Sequence, residues 1–167
     1  MQSVTAFLEW LQALPLAVFI HKKAWAFTTV EVVHVFAIAM VIGTIAIVDL
    51  RLLGFASTKR PVAELSRKVL PFTWAAFAIA VVAGSLLFIS RAPEYFVNAM
   101  FWIKMALIVI AGINMMIFEF ITVRGVKEWN LSPTPPLAAR LAGGISIASW
   151  VLVVVFGRLI AFTLQTE

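Results

Sequence analysis

Glu31, His34, Lys104 and Arg158 stand in stretches that are otherwise almost free of charge. Ionisable groups in such surroundings are costly to keep, and by default they mark a ligand, ion or proton site. Glu31 and His34 are three residues apart, so on a helix their side chains share a face. An imidazole can ligate haem iron or carry a proton near neutral pH. Lys104 and Arg158 bring cations that suit carboxylates or a polarised oxygen. The set therefore permits haem b, with His34 as axial ligand, Lys104 and Arg158 on the propionates, and Glu31 orienting His34. It equally permits a quinone, with the cations on its oxygen and Glu31 and His34 relaying its protons. A small anionic ligand is the third possibility.

Each residue also has a plainer reading. Lys104 and Arg158 can snorkel, keeping their stems in hydrocarbon and their heads among phosphates. Glu31 can pair with either of them, whereas His34 has no long stem and is the residue that most needs a buried role. A second haem ligand is harder to find. His21 precedes His34 by 13 residues, or ~20 Å along a continuous helix, so both could reach one iron only if the chain folds back between them. Beside two lysines, His21 reads as a solvated interfacial residue. Met105 is a weak candidate ligand, since methionine on an apolar helix usually fills space. Met40, Met100 and Met105 form no dense Met/His motif for copper.

The elements that must hold these residues follow from composition. The chain has 167 residues, 63% hydrophobic and 13% charged, with a mean hydropathy of +1.04. Soluble domains carry charge at ~25% of positions, so this is an all-α integral membrane protein. At roughly 20 apolar residues per crossing, four crossings use nearly the whole chain and leave one domain, residues 1–167. The absence of cysteine excludes disulfides, thiolate ligands and iron–sulfur clusters. Two histidines exclude a multi-histidine centre within one chain. The formal charge of +5 suits loops that hold orientation in a membrane better than nucleic-acid binding.

Four crossings are expected at 27–49, 69–90, 98–121 and 137–163, preceded by an interfacial amphipathic helix over 3–19 that Pro15 bends or ends. The N-terminal segment lacks a basic start and a small-residue cleavage site, so it does not read as a signal peptide. The short turn around Arg91–Glu94 makes the second and third crossings antiparallel neighbours. Arg124 to Pro136, with Pro133, Pro135 and Pro136, cannot be helical throughout. Ala76, Ala80 and Gly84 on the second crossing, Ala39, Gly43 and Ala46 on the first, and Gly143 and Gly144 on the fourth are small residues that let helices approach in lipid. Basic residues concentrate in the first and third loops (Arg51, Lys59, Arg60, Arg67, Lys68, Arg124, Lys127, Arg140), which are expected to be cytoplasmic in a bacterial inner membrane, with both termini periplasmic.

Counting from the outer ends of the spans at ~1.5 Å per residue places Glu31 at ~6 Å, His34 at ~10 Å, Lys104 at ~9 Å and Arg158 at ~8 Å. Three helices thus bring four ionisable groups to one depth, which is the strongest functional signal in the sequence. At the opposite end Asp49, Arg51, Asn114, Glu119, Arg124 and Arg140 read chiefly as salt bridges and interface anchors, with Asn114 tying helices together.

Trp25 through Gly54, including Glu-Val-Val-His at 31–34 and Asp-Leu-Arg-Leu-Leu-Gly at 49–54, resembles DUF6644, a bacterial four-helix membrane family. Leu70-Pro-Phe-Thr-Trp74, Phe101-Trp-Ile-Lys104 and Gly157-Arg158 add to the resemblance, which covers nearly the whole chain. The family pattern has a His near the end of the third helix, where this sequence has Glu119. A His on the first helix and Phe-x-x-Lys on the third are more distantly similar to copper-resistance D proteins and to membrane protoporphyrinogen oxidases of the HemJ type, of which the latter bind haem. The expectation is a small subunit of redox or respiratory machinery that binds haem b or quinone in the periplasmic half of a four-helix bundle. Its rivals are a structural or accessory subunit that docks a periplasmic partner, and transport of a small anion or metal. A homo-oligomer or a complex with another membrane subunit is expected.

Overall fold

The structure, a computed structural model, describes residues 2–57, 59–118, 126–132 and 134–164. Glu119, Arg124 and Pro133, with the expected end of the third crossing at 121, lie outside the described residues. Those residues form eight helices: α1 (Gln2–Ala13), α2 (Pro15–Lys22), α3 (Ala24–Leu52), α4 (Val62–Ser90), α5 (Ala92–Val97), α6 (Ala99–Ile117), α7 (Val126–Trp129) and α8 (Leu137–Thr163). Helices α3, α4, α6 and α8 are long and apolar enough to cross a membrane. The protein is thus an all-α membrane bundle.

The elements start and stop for local reasons. Helix α3 carries no proline or central polar run, so it continues for 29 residues, ~43 Å, longer than a ~30 Å hydrocarbon layer. Helix α4 begins at Val62, seven residues before the crossing expected at 69, because Pro61 precedes it and its first turns are amphipathic: Val62 and Leu65 are buried while Glu64, Arg67 and Lys68 face outward. The charged segment expected as loop is therefore partly helix, with Lys68 bonded to Glu64 at 2.6 Å. The N-terminal segment is two helices bent by 69° at Pro15. Proline at the start of α2 removes a backbone donor that α1 would need to continue. Asn98 caps α6 by accepting from the backbone N–H groups of Met100 and Phe101.

The long helices alternate in direction. At one end, here the capped end, Asn98 at the start of α6 donates to Thr163 at the end of α8 (2.7 Å), and the Arg91 guanidinium after α4 stands 5.5 Å over the Phe27 ring near the start of α3. Helices α1 and α2 close this end, α1 against α5 and α4, and α2 against α4 and α3, burying Leu8, Ala17 and Ile20. Helices α3 and α8 form the central pair, flanked by α4 and α6 respectively. The packed interior is built largely from small side chains, among them Ala37, Ala76, Ala80, Ala83, Ala111 and Ala142, while Phe36, Phe72, Val82 and Val109 face outward. This distribution is the one expected when lipid replaces water as the solvent and close packing drives helix association.

At the opposite, loop end, Val48, Leu52, Val62 and Ala139 form a buried apolar cluster. Gly143 lets α8 approach α3 there: a Cβ at this position would lie 3.0 Å from the Asp49 carbonyl oxygen. Arg51 is 0% exposed and donates to the carbonyl oxygens of Arg60 (3.0 Å), Asn130 (3.2 Å) and Ser132 (3.1 Å). It joins the end of α3 to two loops. Asp49 and Arg51, expected among the salt bridges and interface anchors of this end, form no ion pair with each other, because two residues along a helix place side chains on nearly opposite faces. Asn114 does tie α6 to α8, donating to the Ala142 carbonyl at 2.9 Å.

Candidate functional site

His34 is positioned by α4. Its Nδ1 lies 2.9 Å from the Ala80 carbonyl oxygen. A carbonyl can only accept, so Nδ1 carries the proton and Nε2 presents its lone pair. One turn further along α4, a Cβ at Gly84 would stand 2.8 Å from the His34 Cε1. The Ala76-Ala80-Gly84 stripe therefore does more than bring two helices together: its last two members seat the imidazole, one by its carbonyl and one by its missing side chain. Among the described residues nothing hydrogen-bonds Nε2.

That ring opens onto a cavity of about 620 Å³ at the capped end, whose lining includes Glu31 and His34 from α3, Gly84, Leu87 and Phe88 from α4, Tyr95 from α5, Phe101 and Lys104 from α6, and Val153, Gly157 and Arg158 from α8. All four ionisable residues expected at a common depth line it. Lys104 is half-buried, with its stem beside Gly157, where a Cβ would meet the Lys104 Cδ at 3.7 Å, and it lies within electrostatic reach of His34. Arg158 is exposed at the rim, its guanidinium 5.1 Å from the Phe162 ring centroid. Phe88, Tyr95 and Phe101 make a wall of rings, Phe88 on Phe101 at 5.3 Å and Tyr95 to Phe101 at 5.9 Å. Volume and lining fall within the range of small-molecule and cofactor pockets, ~300–1,000 Å³ and mostly apolar with a few polar groups.

Three expectations change. Glu31 neither orients His34, a task that falls to the Ala80 carbonyl, nor pairs with a cation: the ion pairs among the described residues are Glu64–Lys68 and Arg91–Glu94. Met105 is 38% exposed and does not line the cavity, as adjacent helical positions point ~100° apart. The helix breaks at Lys23, between α2 and α3, but His21 is exposed and is not part of the lining. No group of three or more His, Asp or Glu side chains that could hold a bare metal ion occurs among the described residues.

Residues 7–163 match the family described as "Family of unknown function (DUF6644)". The chain belongs to the DUF6644 family. No curated protein and no solved structure matches it. In this DUF6644 chain the segments that carry the resemblance bracket the cavity, since Glu31, His34, Phe101, Lys104, Gly157 and Arg158 all belong to both. Sequence reading did not find Tyr95. It is the chain's single tyrosine and sits in a short helix outside the spans, where burial pushes its phenol above the ordinary value, Arg91 opposes that shift and Glu31 and Glu94 add to it. Its signal was available in the run Arg91-Ala-Pro-Glu-Tyr95, a polar turn carrying an aromatic hydroxyl beside the capped ends of two spans.

Chemically, the cavity offers one imidazole lone pair, two cations, a carboxylate with no ion-pair partner among the described residues, and a phenol around an apolar, ring-lined interior. It can hold a large amphipathic molecule with oxygen-rich groups and can exchange protons with it.

Proposed function

We propose that this DUF6644 protein is a small membrane subunit of bacterial redox or respiratory machinery, and that its capped-end cavity, in the periplasmic half of the bundle, binds haem b. The observation that carries this reading is the His34–Ala80 hydrogen bond. Ligating histidines characteristically donate their second ring N–H to a carbonyl or carboxylate, which fixes the tautomer and strengthens the donor nitrogen. His34 meets that condition, and it lines a cavity of cofactor size. Lys104 and Arg158 would neutralise the propionates, and Phe88, Phe101, Leu87 and Val153 would pack against the ring. Bound haem would supply one-electron chemistry, and the apolar lining would help set its potential.

A quinone is the second reading, favoured by Tyr95 and Glu31, two groups able to exchange protons that line the same space. There Lys104 would donate to a quinone oxygen and His34 Nε2 would accept a quinol proton.

The test is an optical spectrum and an organic extract of the protein purified in mild detergent. Haem binding predicts a Soret band that shifts on reduction and disappears in His34→Ala. Quinone binding predicts a colourless protein whose extract contains about one quinone per chain, lost in Lys104→Met. A colourless preparation without quinone that copurifies with another chain overturns both and leaves an accessory subunit. Uptake of an anion or metal dependent on Lys104 and Arg158 would point instead to transport.

A further inference from the structure

At the loop end, the four spanning helices each place one oxygen-bearing side chain on a second, much smaller cavity of about 80 Å³: Asp49 from α3, Thr73 from α4, Asn114 from α6 and Ser146 from α8. Asp49 is 5% exposed. One of its oxygens takes a hydrogen bond from Ser146, while Oδ2 is buried without a hydrogen-bond partner. A buried carboxylate oxygen in that condition is costly unless something positive meets it. Arg51 does not: it forms no ion pair with Asp49, its Nε and Nη2 go to three loop carbonyls, and its buried Nη1 has no hydrogen-bond partner among the described residues. Besides Ser146, the two other polar neighbours keep an oxygen able to accept. The Asn114 Nδ2 is bonded to the Ala142 carbonyl, which leaves Oδ1 as the amide's remaining polar atom. The Thr73 hydroxyl proton is directed to the Thr44 hydroxyl or the Val69 carbonyl, so the Thr73 oxygen keeps lone pairs.

We infer that Asp49, Ser146, Asn114 and Thr73 form a binding site for a small monovalent cation, of which sodium is the size-matched probe. Oxygen donors suit hard cations. A single carboxylate balances a single positive charge, whereas a divalent ion would leave net charge in a low-dielectric interior. At ~30 Å³ per water in the liquid, the cavity has room for an ion and one or two waters and no larger ligand. This site is separate from the capped-end cavity and does not depend on what binds there.

Thermal unfolding of the full-length protein in detergent tests this. Sodium chloride is titrated against choline chloride at constant ionic strength, with direct binding of radioactive sodium measured in parallel. The expected result is a melting temperature that rises with sodium but not choline, as a ligand selective for the folded state requires, one sodium bound per chain, and a weaker response to potassium. Asp49→Asn should abolish the response. If that variant fails to fold, Ser146→Ala, which removes an oxygen and leaves the carboxylate, should weaken sodium binding. Equal behaviour in sodium and choline overturns the inference, as does stabilisation by acid alone, which would mean that Asp49 is simply protonated. A sodium response that survives in both variants overturns it too.

Discussion

The two cavities of this bundle differ in size by nearly an order of magnitude, about 620 Å³ against about 80 Å³, and they differ as much in how charge is handled. The large one gathers a carboxylate, an imidazole and two cations without an ion pair between them, and its rim is exposed at Arg158. The small one holds a single carboxylate among neutral oxygens, beside the apolar cluster at the loop end. Unpaired charge of both signs in a roomy, partly open space suits a large ligand with polar groups of its own. One charge in a small space suits an ion. Both rest on the same device, a glycine that lets one helix reach another: Gly84 admits the His34 ring and Gly143 admits the α3 backbone.

The largest expected effect separates the two ends by stability. Arg51→Ala removes three hydrogen bonds from a charged donor to loop carbonyls and should cost about 3 kcal/mol, read as a lower midpoint of unfolding in detergent. Because these bonds lie at the loop end, the variant that remains folded at low temperature should keep ligand binding at the capped end. Loss of capped-end binding in folded protein would show that the two ends are not independent.

Next in size is Gly84→Ala. A methyl group 2.8 Å from the His34 Cε1 forces the ring from the Ala80 carbonyl, and ligand affinity at the large cavity should fall about tenfold or more, as it does when a partner that orients a ligating histidine is removed. Gly112→Ala is the control, since a Cβ there meets nothing within 4 Å. It should leave affinity unchanged and stabilise α6 by up to ~1 kcal/mol. An equal loss in both variants would mean that Gly84 acts only through helix packing.

How much of this was legible beforehand depends on whether one helix or two had to be known. The shared depth of Glu31, His34, Lys104 and Arg158 follows from the rise per residue and alternating direction, so their convergence could be anticipated. The seating of His34 could not, because it depends on how α4 is rotated about its axis relative to α3, and the Ala76-Ala80-Gly84 stripe reads from sequence as ordinary packing. Arg51 was misread for a similar reason. It was expected among salt bridges and interface anchors, whereas its carbonyl partners at 130 and 132 come from a loop 79 and 81 positions away, a separation that residue spacing does not reveal. Met105 was set at the right depth but on the wrong side of its helix.

A smaller effect grades the two cations of the large cavity. Lys104 is half-buried within reach of His34, and Arg158 is exposed. Interactions screened by solvent contribute ~1 kcal/mol or less. Lys104→Met should therefore weaken ligand binding by about tenfold and Arg158→Met by no more than about threefold, read by ligand titration or retention on purification. Equal effects would place the ligand's anionic groups at the rim rather than inside.

The smallest effect uses Tyr95, which belongs to the capped end alone and is the chain's only tyrosine, so its phenolate absorbance reports that end with no other contribution. Burial raises the pKa of its phenol above 10.0. For an acid whose folded pKa exceeds the unfolded one, the folded state holds the extra proton between the two values. The resulting stability is complete below pH 10.0 and is lost as pH climbs from there through the folded pKa. Tyr95→Phe should remove this alkaline loss and leave neutral stability nearly unchanged. Glu31→Gln should bring the titration modestly down, because the carboxylate opposes a second negative charge nearby, and Arg91→Gln should move it up. If Glu31→Gln leaves the phenol where it was, Glu31 and Tyr95 do not share the large cavity's electrostatic field, and the proton-exchanging role that favours a quinone there loses its support.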